Sequence, residues 1–148
     1  MTYRSLMLTL DGSAFADRAV ERARDVAVSC GARVVLLDVI PEHRGPFPFT
    51  VEAARIVERR EAEQHLQDVR GRLLAAGVCQ VDVMTVQSDS PADAIVDAAR
   101  RSQCDAVVMA THDRRGLRRL LEGSVAQRVV QRLKGMDVLL VRPEPVAV

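Results

Sequence analysis

The sequence predicts an α/β fold, a single doubly wound parallel sheet of five strands, and three observations support this prediction. Five apolar runs of strand length are spread along the chain. Between them, apolar residues recur every three or four positions, which is the spacing of one helix face. The 148 residues match the size of one ordinary domain, so we expect a single domain over residues 1–148. Strands that alternate with helices are typical of a parallel sheet covered on both faces.

The first three elements are predicted to form a strand, a helix and a second strand. Residues 5–10 are an apolar run that stops at Asp11, so they are the predicted first strand. Ser13 is the predicted N-cap of a helix, and Gly31 is expected to end that helix because glycine adopts positive φ readily. Residues 33–40 form a nearly continuous apolar run and predict the second strand.

The middle of the chain combines a proline-rich loop, a long helix and an alternating strand. Residues 41–49 contain three prolines and are predicted to hold no regular element. A helix is predicted from about Thr50 to Gly77, with apolar residues at spacings of four and three. Residues 79–86 alternate between two faces, which predicts a third strand.

The last third of the chain repeats the pattern of helix and strand. A helix is predicted over residues 91–101, with Ser90 as its N-cap. Residues 105–110 are a continuous apolar run and predict the fourth strand. After a polar loop, a last helix over residues 123–134 and a fifth strand over residues 137–142 complete the prediction.

The strand order follows from the hydrophobic patterns. Strands buried on both faces are continuously apolar, whereas an edge strand alternates, so the third strand is placed at an edge. The predicted order is 3-2-1-4-5, and the chain reverses direction between strands one and four. Ligands bind such sheets at the carboxyl ends of the strands that flank this switch point. We therefore expect a site after the first strand, at residues 11–13, and after the fourth, at residues 110–124, with Val39 nearby.

Composition excludes several classes of function. The chain has 21 basic and 20 acidic residues, a net charge of +1, which argues against nucleic acid as a partner. No apolar run approaches the ~20 residues of a membrane span, and the N-terminal apolar stretch is too short for a signal peptide. We therefore expect a cytoplasmic protein with no membrane partner. The three cysteines lack metal-ligand spacing, so no zinc site is predicted.

Three segments of the chain resemble a known family. They are Asp-Gly-Ser at 11–13, MATHDRRGLRRLLEGSVAQRV at 109–129 and VLLVRP at 138–143. Together they are similar to a universal stress protein domain, and the resemblance covers essentially the whole chain. It implies a Rossmann-like fold of the adenine nucleotide alpha hydrolase type and a stress-response regulator that binds ATP.

The glycine motif of the family's nucleotide binders is only half present. That motif is Gly-x-x-Gly, nine residues, then Gly-Ser or Gly-Thr, and Gly123-Ser124 matches its last element. Ala110 and Asp113 stand where the first two glycines are expected. Asp113 places a carboxylate where the family implies close approach to phosphate, and like charges repel there. Four arginines at 114, 115, 118 and 119 make the same loop cationic, which favours phosphate.

The resemblance implies a set of nucleotide-binding residues. Asp11 is expected near the ribose or phosphates and Val39 against the adenine. Asp113 is a candidate ligand for Mg²⁺ that bridges to the phosphates of ATP. The predicted site residues are Thr9, Asp11, Val39, Met109, Ala110, His112, Asp113, Arg114, Gly123, Ser124 and Val125.

Three functions remain open at this point. The leading one is an ATP-binding regulator, and the second is a dimeric interaction module whose nucleotide site is degenerate. The third is a small nucleotide-processing enzyme that uses Asp11, His112 and Ser124. No Walker A pattern and no nucleophile–base pair can be identified, so no catalytic residue is assigned and at most slow ATP hydrolysis is expected.

The fifth strand predicts a partner. It is an apolar edge strand, and such an edge is a template for pairing with another chain. In the family it commonly pairs across a two-fold axis. We therefore expect a homodimer through residues 138–142.

Overall fold

Five parallel strands and four helices follow one another in the part of the chain that the structure describes. The computed structural model describes residues 2–11, 16–42, 48–111 and 125–142. The strands are β1 (Ser5–Leu10), β2 (Arg33–Ile40), β3 (Val81–Gln87), β4 (Ala106–Ala110) and β5 (Asp137–Val141). The helices are α1 (Ala16–Cys30), α2 (Pro48–Ala75), α3 (Pro91–Arg101) and α4 (Val125–Arg132). The sheet order is β3-β2-β1-β4-β5, so the predicted fold class, strand order and edge position of β3 are confirmed.

The two faces of the sheet are covered by different helices. Leu6, Leu8 and Leu10 of β1 point to one side, where they join a buried cluster with α1 and α2, which we call the α1–α2 face. Met7 of β1 points to the other side and joins a cluster with α3 and α4, the α3–α4 face. Since successive side chains of a strand alternate, an apolar run such as that of β1 supplies both clusters.

Helix α1 packs closely on the sheet because its buried side is made of small residues. These are Ala16, Ala19, Val20, Ala23 and Ala27. The helix ends as predicted at Gly31, which has φ +68°, a backbone conformation that glycine adopts without the strain a side chain would cause. The following N–H of Ala32 donates to the carbonyl of Ala27 at 2.9 Å.

Element boundaries differ from the predictions in a few places. The expectation of a loop through residue 49 is wrong at its end, because α2 begins at Pro48; proline is tolerated in a first helical turn, where its missing N–H has no partner to lose. Residues 43–47 lie outside the described residues. Ser90 holds the N-cap position of α3, but its hydroxyl donates to the Asp93 carboxylate at 2.8 Å and caps no backbone N–H. No helix in the described part of the chain is long and apolar enough to cross a membrane.

The amino ends of the strands are joined by polar side chains. The Tyr3 hydroxyl donates to the Asp137 carboxylate at 2.6 Å, which links the chain before β1 to the first residue of β5. The Arg33 guanidinium lies 3.3 Å from the Asp82 carboxylate, across β2 and β3. These contacts connect strands that are distant in sequence.

Asp105 is the most connected of these amino-edge groups, and its loss should destabilise the fold. One carboxylate oxygen accepts the backbone N–H groups of Arg4 and Ser5, the latter at 2.9 Å. Asp105→Ala is expected to lower the free energy of unfolding by about 1–2 kcal/mol, since it leaves these N–H groups without their acceptor. Urea denaturation measures the loss. Asp105→Asn keeps an acceptor oxygen and should lose less than the alanine variant; an equal loss in both would contradict this role.

Candidate functional site

A cavity of about 340 Å³ lies at the carboxyl ends of β1, β2 and β4. This is the switch point at which the sequence predicts a ligand site, because β1 and β4 are neighbours there and the chain leaves them in opposite directions. The described residues that line it are Thr9, Leu10, Asp11, Ala16, Leu37, Val39, Pro91, Ile95, Met109, Ala110, Thr111, Val125 and Ala126.

Six of the eleven predicted site residues lie together in the walls of this cavity. They are Thr9, Asp11, Val39, Met109, Ala110 and Val125. Their contact with a nucleotide stays a prediction, but the structure places them around one common space. The other five, His112, Asp113, Arg114, Gly123 and Ser124, lie outside the described residues.

Several lining residues were missed by the sequence prediction. Pro91 and Ile95 come from the first turn and a half of α3, which follows the edge strand β3 and was not associated with the site. Their spacing of four residues indicates that both lie on one side of the helix, but not that this side lines the cavity. The packing of α3 against β2 that brings them to the cavity depends on tertiary structure.

The cavity walls are mainly aliphatic. Val39, Ile95 and Met109 form apolar surface, whereas Asp11 supplies the one charged side chain among the described lining residues. The Thr111 hydroxyl is directed to β5, where it donates to the carbonyl of Val141 at 3.5 Å. Such walls suit a flat apolar group with a hydrogen-bonding group beside Asp11.

Three helices line this cavity with the first residues that the structure describes in each of them. The first residues of α1, α3 and α4, which are Ala16, Pro91 and Val125, all line it. The first turn of a helix carries N–H groups without intrahelical partners and the positive end of the helix dipole. The first turn of α3, which follows its N-cap Ser90, provides such groups beside this space and favours a ligand that carries negative charge.

The fold and this site can be compared with known proteins. A family model described as the universal stress protein family matches residues 2–142. The chain belongs to this family. A universal stress protein of Thermus aquaticus is 34% identical over 145 residues, which cover 95% of this chain and 99% of the relative.

Solved universal stress proteins share the fold of this one. UspA from Lactobacillus plantarum superposes with a TM-score of 0.83 at 18% identity, covering 96% of this chain and 99% of its own. A universal stress protein solved in complex with cAMP superposes with a TM-score of 0.71 at 24% identity, covering 97% of this chain and all of its own. At these identities the likeness establishes the fold.

Behind the cavity, this universal stress protein carries a buried acid. Asp38 of β2 is only 9% exposed. Burial, and to a smaller extent the nearby Asp11 carboxylate, raise the pKa of Asp38 from 3.8 to about 6, while His65 of α2 partly opposes the shift. The carboxyl group therefore changes its charge near neutral pH, which an exposed aspartate does not.

No metal site is assembled from the described residues. Within residues 2–11, 16–42, 48–111 and 125–142, no group of three His, Cys, Asp or Glu side chains could hold an ion. The predicted Mg²⁺ ligand Asp113 lies beyond them.

Proposed function

We propose that this universal stress protein is a cytoplasmic regulator, one domain over residues 1–148, that binds an adenine nucleotide, ATP, in the switch-point cavity. The observation that carries the proposal is a cavity at the switch point of the sheet, with apolar walls and with the first turn of α3 beside it. This combination suits a ligand with a flat base at one end and phosphates at the other.

The parts of the nucleotide can be assigned to parts of the cavity. Val39, Ile95 and Met109 offer aliphatic surface to the two faces of adenine. The Asp11 carboxylate is an acceptor for ribose hydroxyls. The phosphates extend toward the start of α4, from which the sequence continues back through Ser124 and Gly123. A related universal stress protein holds cAMP, an adenine nucleotide, which supports this ligand class.

The proposal is tested by looking for the ligand directly. The purified protein is denatured and its supernatant analysed for nucleotide, and ATP is then titrated calorimetrically with and without Mg²⁺. We expect saturable binding of ATP, with Mg²⁺ increasing the affinity if Asp113 takes part. Absence of both co-purified nucleotide and binding at millimolar ATP would refute the proposal.

A second function is favoured by one sequence feature. Asp113 occupies a glycine position of the family's nucleotide motif, so the site could be degenerate and the protein a dimeric interaction module. The variant Asp113→Gly separates the two functions. If wild type fails to bind ATP and the glycine variant binds it, the degenerate site is the correct account; comparable binding by both supports the ATP-binding regulator.

We further propose a homodimer formed through β5. This strand pairs with β4 on one side only within the described sheet. Leu140 of β5 is 43% exposed and Val130 of the adjoining helix α4 is 46% exposed. An apolar edge strand next to exposed apolar side chains favours association with another copy.

Charge on β5 should break this dimer. Leu140→Lys is expected to convert the dimer into a monomer, because pairing would bring the two new charges into an apolar interface. Analytical ultracentrifugation at micromolar concentration measures the mass, which should be twice the chain mass for wild type. Val83→Lys is the matched control, since it adds the same charge to the other edge strand, where Val83 is 38% exposed. A monomeric wild type would refute the dimer.

A further inference from the structure

Asp38 is a buried acid within the apolar run of β2. Its side chain is 9% exposed, and within the described residues no hydrogen bond or ion pair satisfies it. An ionised carboxylate in such a place is costly, because it loses water without gaining a donor. The group is therefore poised to take up a proton, and burial is the main cause of its raised pKa.

Among the described residues, two titratable groups act on Asp38, one after β1 and one on α2. Asp11 follows β1 and repels the ionised form, whereas His65 of α2 favours it. The neighbour on β3 is Thr85, which is uncharged. The buried side of α1 is entirely apolar.

Two arginines of α2 lie farther along the same face. Arg55 and Arg59 line a hollow with Ile40 and Thr85, at the very end of β2. The Arg59 guanidinium lies 3.5 Å from the Glu63 carboxylate, which offsets its charge.

Asp38 is adjacent to the ligand cavity on two sides. Its chain neighbours Leu37 and Val39 both line the cavity from β2. Across the ladder, Asp38 pairs with Leu10, which lines the cavity and is followed by Asp11. A charge on Asp38 thus lies directly beside the residues that line the cavity and would enclose a nucleotide. It lies on the α1–α2 side of the sheet.

We propose that Asp38 makes ligand binding proton-dependent, so that the cavity holds an anionic ligand more tightly when Asp38 is protonated than when it is ionised. The proposal rests on the proposed nucleotide function and adds its regulation. Ionised Asp38 adds a second negative charge beside Asp11, and both repel the phosphates through a poorly screened interior. Since coupling between two sites is reciprocal, a bound nucleotide also raises the pKa of Asp38.

The test compares ATP affinity at pH 5.0 and pH 7.5. Over roughly 10 Å of partly buried protein, one charge changes the affinity for an anion by about three- to tenfold. We therefore expect the Kd of ATP to rise between pH 5.0 and pH 7.5 in wild type. The factor of this rise should be about three to ten times greater in wild type than in Asp38→Asn. The ATP phosphates also titrate near this range, and the comparison with Asp38→Asn removes their contribution. Asp68→Asn, which removes a charge from the exposed side of α2, should behave as wild type.

A second measurement needs no variant at position 38. A ¹³C carboxyl titration of wild type follows Asp38 itself, and its midpoint should rise when ATP is bound. In the free protein, Asp11→Asn should lower this midpoint and His65→Gln should raise it, because each removes one of the two interactions.

The outcomes separate this inference from the proposed function. Equal pH dependence of ATP binding in wild type and Asp38→Asn, or an Asp38 midpoint that ATP leaves unchanged, overturns the inference and leaves nucleotide binding intact. Failure of wild type to bind ATP at both pH values overturns the proposed function, and the inference falls with it.

Discussion

Val39→Trp is expected to weaken ATP binding by at least about a hundredfold, which corresponds to roughly 2.7 kcal/mol. Val39 lies in the cavity wall at the end of β2, among the aliphatic side chains that we assign to adenine. An indole at this position fills the space that the base would occupy, so the ligand is excluded rather than merely less well held. The cavity is open, and the larger side chain should therefore enter it without overpacking the core. Calorimetric titration of ATP measures the loss.

A matched variant distinguishes blockage from unfolding. Val83→Trp makes the same exchange on the neighbouring strand β3, at an exposed position away from the cavity. It should bind ATP as wild type does, and both variants should keep the wild-type circular dichroism spectrum. Unchanged ATP affinity in folded Val39→Trp would place the nucleotide elsewhere on the protein.

Asp38→Asn is expected to remove a decline in stability that wild type undergoes as the pH rises. The pKa of Asp38 is about 6 in the folded protein, whereas an unfolded aspartate titrates near ~3.9. The folded state therefore holds this proton more tightly than the unfolded state does. The stabilisation is fully present below about pH 4 and is lost as the pH rises through 6. The difference of about two units between the folded and unfolded pKa values corresponds to about 2–3 kcal/mol of unfolding free energy.

Urea denaturation from pH 4.5 to 7.5 measures this effect as a difference between two proteins. The stability of Asp38→Asn relative to wild type should increase across this range, by up to about 2 kcal/mol, and level off above pH 7. Asp68→Asn serves as the control and should show a constant difference. A relative stability of Asp38→Asn that stays flat with pH would mean that Asp38 titrates as an ordinary aspartate.

The hydrophobic pattern was sufficient to predict the sheet. The runs at 5–10 and 33–40 coincide with β1 and β2 because both strands are buried on two faces and need apolar residues at most positions. The alternation after residue 79 placed β3 at the edge, and this fixed the switch point and the location of the cavity. These features depend on periodicity, which a single sequence displays.

The features that were not predicted depend on contacts between distant segments. Ile95 reaches the cavity because α3 packs across β2, and no local pattern indicates that arrangement. Asp38 interrupts an apolar run, yet whether such an aspartate is buried or turned to solvent depends on α2, which lies over it. The resemblance to the family supplied Met109 as a site residue, which hydrophobicity alone would have assigned to the core, whereas the predicted strand order had already placed Val39 near the site.

The polar contacts at the amino ends of the strands affect where this protein tolerates amino-acid substitutions. Tyr3 and Asp105 join non-consecutive strands at the end of the sheet opposite the cavity, and Arg33 joins β2 to β3 there. The amides beside these links should exchange with solvent only when the whole domain unfolds, whereas those beside the cavity can open locally. Substitutions that retune ligand preference can therefore accumulate at one end of the sheet while the other end keeps the chain folded.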